Sequence, residues 1–149
     1  DKLFVRRWIG VMATGFRIDF LWYQVGQGDF LHAFFSTICY RLEKGLWGSK
    51  FPYLMNDLYH IGLEWTDVPL ARKELKKIQK ALSKLPPSDV IWDIDDLSKQ
   101  PPWGNHISGE ITNLSNYFVT SDGRDLITTM FMAFDDAEEI KHKIQIISL

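Results

Sequence analysis

The stretch FRIDFLWYQVG, residues 16–26, sets Phe16, Ile18, Phe20 and Trp22 against Arg17, Asp19, Leu21 and Tyr23. That period of two predicts a strand with one buried face. The period then changes. Gly26 and Gly28 break the strand, Asp29 can cap, and residues 30–44, FLHAFFSTICYRLEK, place Leu31, Phe35, Ile38 and Leu42 at helical spacing before Gly45. Further on, Thr66, Asp67 and Pro69 precede a helix with Ala71, Leu75, Ile78, Leu82 and Leu85 on one stripe and lysines on its other face.

Residues 88–97, SDVIWDIDDL, alternate Val90, Trp92 and Ile94 against Ile91, Asp93 and Asp95, which predicts another strand. Residues 116–120, NYFVT, read as a strand too, and SDGRDL, residues 121–126, as a turn that caps a helix carrying Leu126, Met130, Phe134 and Ala137. IQIISL closes the chain as a strand, and LFVRRWIGVM, residues 3–12, offers a partner beside the first one. No strand-to-helix turn carries a Gly-rich phosphate fingerprint, so the pattern favours α+β: helices packed on a mixed or largely antiparallel sheet, as a single pair of layers.

Composition narrows the class. With 149 residues, 46% hydrophobic and 24% charged, the chain suits one domain, 1–149, whose first 14 residues form an edge strand or an added extension. It contains no apolar run of membrane-spanning length, and its opening residues lack a secretory signal's apolar centre, so a cytoplasmic protein with no membrane partner is expected. A lone Cys39 builds neither a disulfide framework nor a CxxC site. The net charge of -2 hides a basic block, Asp67 to Pro87 at +4, and an acidic one, Ser88 to the end at -7. Such blocks usually form solvated faces, but an acidic one also suits a basic protein partner.

Each candidate for chemistry has a plainer counterpart. Asp93, Asp95 and Asp96 are the densest carboxylate group, with His106 the nearest histidine, yet no metal-ligand spacing is present and a charged sheet edge is the simpler reading; neither metal nor cofactor is expected. His32 stands one helical turn before Ser36, near Thr37 and Cys39, without an oxyanion elbow or an orienting acid. His60 and His142 stand alone. GQGD, residues 26–29, precedes a helix, but Asp29 disfavours phosphate there. The lysine face in a chain of pI about 6.1 reads as a solvated surface, and no direct nucleic-acid contact is expected. In SKQPPWGN, residues 98–105, Pro101 and Pro102 make a stiff mount for Trp103, which either anchors a partner or folds back with its N–H on a carbonyl.

Together, VGQGDFLHAFFSTICYRLE (25–43), WGSKFPYLMNDLY (47–59), VIWDIDDLSKQPPWGNHIS (90–108) and ITNLSNYFVTSDGRDL (111–126) resemble the bacterial polymorphic-toxin immunity proteins of the immunity protein 70 family. The resemblance runs from about Phe16 to the end and leaves the first dozen residues unmatched. It implies an α+β antitoxin without catalytic residues that binds the C-terminal domain of a cognate toxin; the acidic lobe fits a basic partner such as a nuclease. The interface is then expected to include Asp93, Asp95, Asp96, Trp103, Asp122, Arg124 and Asp125. The alternative is a small hydrolase or transferase using Asp93, Asp95 and Asp96 with His106, and a third reading is a dimerising scaffold subunit.

Overall fold

A computed structural model describes residues 13–149 of the chain. The alternating stretch is a hairpin rather than one strand: β1, Thr14–Ile18, pairs antiparallel with β2, Leu21–Gly26, through a two-residue turn. Phe16 and Ile18 are buried as expected, but Asp19 has φ +53°, and Phe20 at the tip is 81% exposed. Asp tolerates the left-handed region better than most residues, so the reversal costs little there, and the alternation conceals it. Register slips between Thr14 and Gly15. A Cβ on Gly15 would stand 2.2 Å from the Tyr23 carbonyl oxygen, so only glycine allows the strands to approach there.

The chain's last strand, β3, Gln145–Ser148, pairs antiparallel with the other edge of β1, giving the order β2-β1-β3. Helices pack on this sheet around one aromatic and aliphatic core, so the architecture is α+β. The possible pairing of residues 3–12 lies outside the described residues.

α1, Gly28–Thr37, buries Leu31, Ala33, Phe34 and Phe35. Gln27, not Asp29, holds its N-cap position, and Asp29 stands in the first turn without making a cap bond. The helix then widens into a π-helical stretch, Ile38–Leu42, that ends at Glu43. Glu43 is buried, and its carboxylate accepts the backbone N–H groups of Gly48, Lys50 and Phe51 at 2.9–3.0 Å. That fixes the loop leading to a longer π-helix, Tyr53–Ile61, for which sequence reading offered no element. Glu74 caps this second helix from outside, taking Leu54 N–H at 2.9 Å and Tyr53 N–H at 3.3 Å; burial raises its pKa against the effect of both bonds.

α2, Val68–Leu82, buries Val68, Ala71, Leu75, Ile78 and Leu82 and turns its lysines outward. α3, Leu126–Ile140, starts where Asp125 accepts the Thr128 N–H at 2.9 Å, the cap that SDGRDL predicts. Arg72 on α2 bridges to Asp135 and Glu138 on α3.

Two expected strands are absent. NYFVT contributes only an isolated bridge, Val119 to Asp125, and SDVIWDIDDL forms a short 3-10 turn, Pro87–Asp89, followed by loops. The proline loop therefore leaves from another loop, not from a sheet. The cause lies in the side chains: Asp93 accepts the Asp95 N–H at 2.9 Å and Asp96 accepts the Ser98 N–H at 3.1 Å, so local bonds displace ladder bonds.

Candidate functional site

Two hydroxyls on α1 place the acidic loop. Thr37 Oγ1 accepts the Ile91 N–H at 3.1 Å, and Ser36 Oγ accepts the Ile94 N–H at 3.0 Å. Both residues are fully buried. Ser36 is therefore a fastening and not a nucleophile paired with His32. The fastening carries Asp93 and Asp95 over the exposed side of α1, where His32 Nε2 lies 3.3 Å from Asp93 Oδ1 and 3.8 Å from Asp95 Oδ2. His32 Nδ1 meets Tyr59 Oη at 2.8 Å, and the imidazole stacks against Trp47 with an interplanar angle of 20°.

The electrostatics follow from this packing. The Asp95 N–H, then Lys99 and His32, hold the Asp93 carboxyl below its usual range against some desolvation. Burial, and then Asp95 and Asp93, raise the Tyr59 phenol, which stays protonated. Asp96 turns away to Ser98, whose hydroxyl and then N–H lower its pKa. His106 is exposed and takes no part in the group. The expected quartet of Asp93, Asp95, Asp96 and His106 is thus replaced by His32, Asp93, Asp95 and Tyr59. His32 and Asp93 stand 61 residues apart, so no local spacing signals their meeting.

Trp103 folds back. Its Nε1 donates to Tyr117 Oη at 2.9 Å, a phenol rather than a carbonyl, and its ring meets Trp92 edge-on with centroids 5.3 Å apart. It stays half-buried and forms one wall of a groove of about 330 Å3 that also involves Phe30, Trp92, Pro102 and Val119, with Asp29 at the rim. A second hollow, about 300 Å3, lies between Trp22, Tyr23, Asp122, Arg124 and Met132. The turn between Val119 and Arg124 contributes to both, and Ser121 N–H ties it to Val25 O at 2.9 Å. Of the residues expected at an interface, Trp103, Asp122 and Arg124 therefore line neighbouring hollows, while Asp125 is engaged as a helix cap.

A family model described as Immunity protein 70 matches residues 16–146. The chain belongs to the immunity protein 70 family. No curated protein and no solved structure matches it. The matched span takes in β2, most of β1, the start of β3, both grooves and the His32 group, so the family's shared sequence covers the whole candidate face. This face offers hollows edged with carboxylates and aromatic rings. Among the described residues, no helix is long and apolar enough to cross a membrane.

Proposed function

We propose that this immunity protein neutralises a cognate toxin domain by forming a stoichiometric complex, without chemistry of its own. The family match across residues 16–146 carries the reading. The contact is assigned to the surface running from the Asp93 and Asp95 loop past the Trp103 groove to Asp122 and Arg124. Exposed Asp95, Asp96 and Asp122 supply a field that speeds capture of a basic partner, and a nuclease domain is the partner class this field fits best. Val119, 43% exposed beside the groove, offers apolar contact that slows release.

The experiment pairs the purified chain with the toxin domain encoded beside its gene. A one-to-one complex that abolishes toxin activity is expected. Reversing Asp95 and Asp96 to lysine should lower the association rate and flatten its salt dependence; Val119→Asp should mainly speed dissociation. A folded double-reversal variant and a folded Val119→Asp variant that both bind as wild type would show that the contact lies elsewhere. Failure to form any complex would remove the reading itself. Trp103→Ala is a poorer probe than its exposed neighbours, because its indole also supports Trp92 and Tyr117.

The enzymatic alternative loses its assembly, since His106 does not join the aspartates. Neither of the two hollows described is lined by Asp93, Asp95 or His32.

A further inference from the structure

We propose that His32, Asp93 and Asp95 form a binding site for a first-row transition-metal ion, zinc foremost, held by His32 Nε2 and one oxygen from each carboxylate. The three donor atoms lie within 4.8 Å of one another, and Nε2 is 3.3 and 3.8 Å from the two oxygens. Donors bonded to a tetrahedral zinc at about 2.0–2.2 Å stand roughly 3.3–3.5 Å apart, so the ion needs only small side-chain adjustments. A simple ion pair would account for Asp93 alone. Asp95 brings a second negative charge to the same imidazole nitrogen, which a divalent cation neutralises better than one histidine proton.

The surroundings match what a metal-bound imidazole requires. His32 Nδ1 has Tyr59 Oη at 2.8 Å as its outer partner, and Trp47 stacks against the ring. With the metal on Nε2, Nδ1 carries the proton and donates to Tyr59 Oη. The aspartates ride on the loop that Ser36 and Thr37 fasten to the helix bearing His32, so all three donors share one support. Lys99 Nζ lies 3.3 Å from Asp93 Oδ2, the oxygen not facing His32, which offsets one charge, while Oδ1 accepts the Asp95 N–H at 2.9 Å and keeps its second lone pair for the ion.

The donor set selects the ion. An imidazole disfavours magnesium and calcium, and two carboxylates disfavour copper(I), whereas zinc, cobalt(II) and nickel(II) accept mixed nitrogen and oxygen donors. The Asp95 side chain is 86% exposed, so the outer side of the site is open to water for the remaining coordination positions.

The assignment concerns the isolated chain and does not depend on toxin binding. Intact protein stripped with a chelator is titrated calorimetrically with zinc chloride, with magnesium chloride as the control. Cobalt(II) is then added to read its visible absorption. The expected result is saturable one-site zinc binding, no magnesium heat, and cobalt bands of low coordination number. Asp95→Asn should weaken zinc by roughly tenfold or more while leaving the metal-free circular dichroism and melting unchanged. No saturable zinc binding overturns the proposal, and so does binding that survives Asp95→Asn unchanged, which would place the ion on other histidines.

Discussion

Tyr23 on β2 donates its phenol to Asp136 on α3, and burial followed by that carboxylate pushes its pKa from 10.0 to about 12. Because the folded value lies above the unfolded one, the contribution to stability is complete below pH 10.0 and disappears as pH rises through about 12. Tyr23→Phe should therefore lower the neutral-pH stability by about 1 kcal/mol and remove that part of the alkaline loss; chemical denaturation from pH 8 to about 12 measures both. Ser36→Ala tests the fastening in the same way. It leaves the Ile94 N–H without its acceptor, at a cost of about 2 kcal/mol, and should release the Asp93 and Asp95 loop, seen as faster amide exchange there. At this scale the sequence disclosed residue types but not their partners. The aspartates stood out as a group and His32 stood out beside Ser36, whereas nothing joined His32 or Tyr59 to the aspartates, because only the folding of α1 against distant loops brings them together.

Elements that repeat a plain period were legible, and those held by long-range polar bonds were not. The stripe from Ala71 to Leu82 and the Asp125 cap behave as read, because propensity and apolar face agree, although the first of these helices stops before Leu85 and Asp67 makes no side-chain cap bond. Residues 88–97 alternate equally well, yet their backbone bonds go to Ser36, Thr37 and their own aspartates, which no period reports. The π-helix Tyr53–Ile61 is a further case: its approach depends on Glu43 and its first turn on Glu74, both outside the segment. Glu43→Ala should then cost about 3 kcal/mol or more, since three backbone N–H groups lose one shared acceptor. Hydrogen exchange should show the loss concentrated in residues 47–61 rather than spread over the sheet. Uniform loss would mean that the π-helix stands by its own contacts and Glu43 merely fills space.

Over the whole molecule, charge is segregated by element: the lysines of α2 point outward on one helix, while Asp95, Asp96 and Asp122 stand exposed on loops. The basic toxin proposed above would meet attraction from the loops and repulsion from α2, so the two sets would orient the encounter together. Replacing Lys73, Lys76 and Lys80 with glutamine reduces the repulsion without touching the proposed contact. The association rate should rise at low salt, by about twofold to tenfold, and the gain should vanish near 0.5 M salt, where screening reaches only about 4 Å. The dissociation rate should not change, because these side chains lie outside the proposed contact. A slower association would instead place the lysine helix against an acidic partner and reverse the polarity of the interface. Stopped-flow association at several ionic strengths separates these outcomes, since the two polarities predict rate changes of opposite sign from the same three substitutions.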